Sequence, residues 1–244
     1  MPSDVTFVGR SHQIARLEGF LEQTLSGQGQ ICFVTGEAGS GKTTLLAEFT
    51  RRAQSRFQDL VVTRGECNAQ SGLGDAYLPF RDVFDVLTGG SDDSPAQEAA
   101  GEENTRRVRR LLRSSAEVLL ELGPDLVGVF IPWAALATRL GTFAVEKAGL
   151  VDKVEKRLDR RRRPDPSGKD APLTAASLEQ DQIFEQYVKV LRALSLRQPL
   201  VIILDDLQWT DASSTALLFH LFRRIDGAPI FVIGSYRPRE VTLG

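Results

Sequence analysis

The sequence holds few of the residues that most often advertise chemistry. Two cysteines, two histidines and one methionine are spread over 244 residues, and aromatics make up 7%. Cys32 and Cys67 lack metal-type spacing and sit in or after apolar runs, so they read as two buried thiols of a reducing compartment. His12 and His220 lie far apart on expected helices, which leaves no histidine-based catalytic or metal constellation. Net charge is nearly absent: 30 basic against 32 acidic residues give -2, so nothing general draws the chain to nucleic acid. Long hydrophobic runs are missing too. The longest uncharged stretch of the apolar middle region, Leu126 to Thr138, has 13 residues, whereas a bilayer takes about 20. Met1 to Arg10 lacks the basic-then-apolar plan of a signal peptide. The default is a cytoplasmic protein with no membrane span. With few aromatics the core must rest on Leu, Val, Ile and Ala.

What is present is an α/β alternation interrupted in the middle. Ile14, Leu17, Phe20 and Leu25 recur at helical spacing over Ser11–Leu25, with Ser11 as a cap. Ile31–Thr35 is a short, continuously apolar run, which predicts a strand buried on both faces. A glycine-rich loop follows, then a helix over Lys42–Phe57 and a second buried strand over Leu60–Thr63, making one βαβ unit. From about Ala76 to Arg197 no strand pattern occurs. Helices are expected over Asp82–Leu87, Asn104–Leu122, Trp133–Arg161 and Leu173–Leu196, with loose polar loops over Gly89–Gly101 and Arg163–Pro172. Alternation resumes with a strand over Leu200–Leu204, a helix over Ala212–Ile225 and a strand over Pro229–Ser235. The expected fold class is α/β, a P-loop NTPase whose parallel sheet is flanked by helices and carries a long helical insertion between its second and third strands. Residues 1–75 and 199–244 form the two parts of the nucleotide domain, and 76–198 form the insertion.

The strongest chemical signal is Gly36-Glu37-Ala38-Gly39-Ser40-Gly41-Lys42-Thr43, a G-x-x-x-x-G-K-[ST] match between a strand and a helix. Glycines let the backbone curl around a phosphate, and successive N–H groups and the helix N-terminus supply positive potential. The segment Glu37, Ala38, Gly39, Ser40, Gly41, Lys42, Thr43 and Thr44 is therefore the candidate phosphate cradle. Lys42 would reach the β- and γ-phosphates of ATP, and the Thr43 hydroxyl would ligate Mg²⁺.

The second signal is Val201-Ile202-Ile203-Leu204-Asp205-Asp206, an apolar strand ending in two carboxylates. Strand ends of such sheets converge on the ligand crevice. Asp205 would hold Mg²⁺, directly or through water, and Asp206 could act as general base on the attacking water. Asp211 either caps the next helix or acts directly. Trp209 packs over the nucleotide side or against a neighbouring domain. Arg237, at the end of the last strand, either reads the γ-phosphate or is a surface arginine.

Phe7-Val8-Gly9-Arg10, the phosphate loop, LDDLQWTD at 204–211 and SYR at 235–237 together resemble STAND-type ATPases. More narrowly, they resemble the ATPase modules of bacterial LuxR/MalT-like and cyclase-associated signalling regulators, relatives of the AAA+ and origin-recognition ATPases. The resemblance implies that Val8, Gly9 and Arg10 lie along the adenine and that Arg237 senses the γ-phosphate. At position 11 the family commonly has Glu, where this chain has Ser11. It also implies that the strand ending at Ser235 lies between the phosphate-loop strand and the strand ending at Asp205. A fifth strand, a helical lid and a winged helix normally follow, so the chain reads as an excised domain whose phosphate-loop strand is left as an exposed edge.

Two basic runs, Lys153–Arg163 and Arg106–Arg113, read chiefly as solvated helix faces, the first with interleaved acids and with a protein contact or nucleic acid as its alternatives. Val127–Val151 reads as core helix or as a contact with a missing domain. The expected function is an ATP-binding, slowly hydrolysing switch domain of a larger bacterial signalling protein. ATP or ADP and Mg²⁺ would be its cofactors. The missing lid, winged-helix and effector domains, and an ATP-dependent homo-oligomer, would be its partners. The rivals are a nucleotide-binding module without useful hydrolysis, an origin-recognition-like ATPase on DNA, and a small-molecule kinase.

Overall fold

The computed structural model describes residues 9–68, 76–89, 101–131 and 173–238. The helix expected over 133–161, the loop over 163–172, most of the loop over 89–101, the basic run at 153–163, most of 127–151, and Val8 lie outside the described residues.

Four strands form one all-parallel sheet: β1 (Gln30–Thr35), β2 (Val61–Glu66), β3 (Leu200–Asp205) and β4 (Ile230–Tyr236). Their order is β1-β4-β3-β2, so β4 lies between the phosphate-loop strand and β3. The helices are α1 (Ser11–Leu25), α2 (Lys42–Arg56), α3 (Leu78–Leu87), α4 (Gly101–Leu122), α5 (Leu173–Ser195) and α6 (Ala212–Phe222). This is the α/β P-loop NTPase architecture, a parallel sheet flanked by helices.

Strand alternation splits the core in two. One face, with Val62, Val201, Ile203, Phe231 and Ile233, is covered by Ile14, Leu17 and Leu21 of α1 and Leu45, Leu46 and Phe49 of α2. The other, with Val61, Ile202, Leu204, Ile230 and Val232, is covered by α3, α4, α5 and α6. Phe80, Phe84, Phe130 and Tyr187 interlock there with ring centroids 4.4–5.7 Å apart.

The edge at β2 is sealed by side chains. Val61 N–H donates inward to Pro199 O, so Leu60, Val62 and Glu66 present their backbone groups outward. Asn104 of α4 accepts from Val62 N–H at 3.1 Å and donates to Val62 O at 2.8 Å, as a neighbouring strand would. Gln54 Nε2 donates to the same Asn104 oxygen at 2.7 Å. Arg107 donates to Leu60 O and Gln54 O. Asp82 of α3 accepts from Glu66 N–H at 3.1 Å, and burial pushes its carboxyl above the usual range. Close approach of α3 requires Gly65, where a Cβ would lie 1.9 Å from Pro79 O.

Four expectations are corrected. β1 is not buried on both faces: Cys32 and Val34 pack against the α1 and α2 layer, whereas Phe33, on the opposite face, is 53% exposed. Ser11 is the first helical residue rather than the cap, and Arg10 at the cap position makes no side-chain cap bond. Arg107 is buried, not solvated, because its guanidinium satisfies two backbone carbonyls. Cys67 is buried as expected but Cys32 only partly, because it sits on the edge strand β1. Both thiols are pushed up to about 12 by desolvation, which leaves them unreactive near neutral pH.

Replacing Asn104 by Ala strands the outward groups of Val62. The expected loss is about 2 kcal/mol or more in urea unfolding, and Asn104→Asp, which cannot donate, does not recover it. A loss of about 0.5 kcal/mol or less would show that water replaces the amide at that edge.

Candidate functional site

Parallel strands place their C-terminal ends on one side of the sheet. Thr35 pairs with Tyr236 and Glu66 with Asp205, so the four ends stand in a row beside the loop that leaves β1. Between them lies a cleft of about 430 Å³, lined by Ala38–Thr44, Arg64, Glu66, Asp205, Asp206, Ser235 and Arg237.

The loop's shape follows from its glycines. Gly39 and Gly41 have φ of 71° and 76°, a region open to glycine at little cost. Gly36 has no room for a Cβ, which would lie 2.6 Å from Ser40 Oγ. That hydroxyl is buried and, among the described residues, has no hydrogen-bond partner. Lys42 is 9% exposed and its ammonium donates to Gly36 O at 2.6 Å and Glu37 O at 3.2 Å. Arg10 reaches the loop from the other side, donating to the carbonyls of Ser40 and Gly41. The stretch at Gly9–Arg10 is thereby tied to the phosphate loop.

The two carboxylates after β3 have different surroundings. Asp205, 7% exposed, ends the strand inside the cleft. Its Oδ2 accepts from two nitrogens of Arg64, and its Oδ1 accepts from Ser235 Oγ at 2.7 Å. Ser235 Oγ in turn accepts from Asp206 N–H at 3.3 Å. Asp206 has φ 53° and ψ 45°, a left-handed turn that Asp tolerates better than most residues. The turn lifts its side chain to the rim, where Oδ1 accepts from Gln208 Nε2 at 2.9 Å and lies 3.8 Å from Arg237 Nε. Gln208 Oε1 accepts from Arg237 N–H at 3.1 Å, so one amide ties the ends of β3 and β4 together.

The cleft thus gathers Ala38, Gly39, Ser40, Gly41, Lys42, Thr43, Thr44, Asp205, Asp206 and Arg237. It does not include Glu37, whose carbonyl serves Lys42, nor Gly9 and Arg10, although Arg10 donates to the loop's carbonyls. Asp211 caps α6, accepting from Ser214 N–H at 2.9 Å. Trp209 is 41% exposed. Sequence reasoning missed Arg64, Glu66, Ser235 and Gln208. A visible signal for the first two was the charged end of an otherwise apolar strand, VVTRGE.

Whether the cleft suits Mg²⁺ can be judged from its donors. Thr43 and Asp205 bring a hydroxyl and a carboxylate to the lining of the cleft. Among the described residues there is no group of three or more His, Cys, Asp or Glu able to hold a metal. A sparse, hard-oxygen set suits an ion that keeps several waters and shares its shell with phosphates, as Mg²⁺ does. Among the described residues no helix is long and apolar enough to cross a membrane.

A family profile described as an AAA ATPase domain matches residues 6–233, nearly the whole chain. No curated protein matches it significantly.

Gln208→Ala removes both ties between the strand ends and is expected to cost about 1–2 kcal/mol in denaturant melts. Gln208→Glu, which sets a second carboxylate against Asp206, is expected to be less stable than Gln208→Ala, with the gap narrowing at 1 M salt, where screening shortens to about 3 Å. Equal stability of the two variants at low salt would show that the amide does not govern this corner.

Proposed function

This chain belongs to the AAA ATPase domain family, and from that membership we propose that it is an ATP-binding, slowly hydrolysing switch domain of the STAND type within a larger cytoplasmic bacterial signalling protein. Membership supports nucleotide binding and ATPase activity in general. The observation that carries the finer reading is the single cleft uniting the glycine loop, Asp205 and Asp206, and Arg237 from three strand ends.

In this reading Lys42 exchanges the Gly36 and Glu37 carbonyls for the β- and γ-phosphate oxygens, a stronger, charge-assisted bond. The N–H groups of Glu37–Thr44 and the start of α2 supply the rest of the phosphate site. Mg²⁺ would be held by Thr43 and Asp205 and would neutralise charge on the β- and γ-phosphates. Asp206, on the rim, orients the attacking water. Arg237, beside Asp206, reads the γ-phosphate, and Val8, Gly9 and Arg10 follow the adenine. ADP lacks the group that Arg237 and Asp206 address, so the two nucleotides bind two states of the domain unequally. That difference is what a switch requires. ATP would favour an open, oligomeric state; ADP would favour a closed one, held with lid, winged-helix and effector domains. Residues 76–198 would serve as a helical insertion between the two parts of the nucleotide domain. Slow turnover suits this use, since a switch must persist.

Calorimetry with ATP and ADP in Mg²⁺, with phosphate release on the same samples, tests the reading. Lys42→Ala is expected to weaken nucleotide binding about 10–100-fold, as loss of a hydrogen bond to a charged group does. Asp206→Asn is expected to keep binding and to lower phosphate release about 100-fold or more. Wild-type protein that binds neither nucleotide would sink the proposal. Binding without release would leave a nucleotide-holding module in place of an ATPase.

A further inference from the structure

The pair formed by Arg64 and Asp205 answers a problem of charge. The cleft is lined by three cationic side chains, Lys42, Arg64 and Arg237, and by three carboxylates, Glu66, Asp205 and Asp206. A triphosphate brings several negative charges into that balanced set. Of the three carboxylates Asp205 is the one that water cannot screen, being 7% exposed, whereas Glu66 is exposed and Asp206 half-exposed. An unpaired buried carboxylate facing phosphates would oppose binding strongly, because repulsion grows as the local dielectric falls. Arg64, on the neighbouring strand, places two guanidinium nitrogens on Asp205 Oδ2, while Ser235 holds Oδ1. Both oxygens are engaged and the charge is offset from within the protein.

The geometry points to Arg64 as an internal countercharge for Asp205. Its guanidinium offsets the Asp205 charge from within the protein, as a divalent cation would when bound there. On this account nucleotide binds without Mg²⁺, and Asp205 would become available to hold Mg²⁺ only once Arg64 releases its Oδ2. The inference rests on the nucleotide reading above. It separates Arg64 from a residue that binds phosphate directly: a countercharge is needed only while Asp205 is ionised and metal-free, and a phosphate ligand is needed always.

The test is ATP affinity by calorimetry in EDTA and in excess Mg²⁺, for wild type, Arg64→Ala, Asp205→Asn and the double variant, with circular dichroism melts to verify folding. Wild type is expected to bind in EDTA within about tenfold of its affinity in Mg²⁺. Arg64→Ala is expected to lose about tenfold or more in EDTA, as an unpaired charge in a part-buried cleft would cause, and to lose little in Mg²⁺. Asp205→Asn is expected to bind in EDTA at least as tightly as wild type. The double variant, with neither charge, is expected to return to within about threefold of wild type, well inside the tenfold cost of one unpaired charge.

If Arg64→Ala binds as tightly as wild type in EDTA, the inference is overturned. It is overturned equally if the double variant stays as weak as Arg64→Ala, which would make Arg64 a phosphate ligand. Should Arg64→Ala fail to fold, the comparison of Asp205→Asn with the double variant decides, because a countercharge is dispensable once Asp205 is neutral. Binding in Mg²⁺ alone, unaffected by Arg64, removes this inference and leaves the ATP reading standing. No wild-type binding under either condition removes both.

Discussion

Four strands running in the same direction must end on the same side. The cleft depends on that constraint. Because β1, β4, β3 and β2 are all parallel and nearly in register, the loop after β1, Arg64 and Glu66 of β2, Asp205 and Asp206 after β3, and Ser235 and Arg237 of β4 arrive at one place. Residues from opposite ends of the chain become neighbours without any long-range device beyond strand pairing. The sheet interior is Val, Ile, Leu and Phe, so the polar ends are the natural seat of chemistry.

Much of this could be read in the sequence because it is local. Gly36–Thr43 announces a tight glycine turn between strand and helix through spacing alone, and an apolar run ending in Asp205-Asp206 announces a buried strand opening into a polar end. Helix spacing placed α1 and α6 to within a few residues. The Asp211 cap was legible for the same reason, since it needs only the residues that follow it.

What was not legible depends on partners far along the chain. Arg64 meets Asp205 across 141 positions. Asn104 meets Val62 across 42. No local pattern marks either, and Arg107 in a basic run looked like solvent-facing charge until the carbonyls of Leu60 and Gln54 took its guanidinium. The apolar run of β1 states what that strand tolerates, not what covers it. Hydrophobicity therefore predicted burial for a strand that, among the described residues, is the margin of the sheet.

The two margins of the sheet are unlike. At β2 the Asn104 amide stands in for the next strand's backbone and stops further addition. At β1 no such stopper is found among the described residues, and Phe33 is open to solvent. In a polymer chemist's terms the sheet, over the described residues, is terminated at one end and live at the other. Two copies joined through their live ends would leave only terminated ends, so edge pairing halts at a closed pair. A sheet live at both margins would run on into a ribbon.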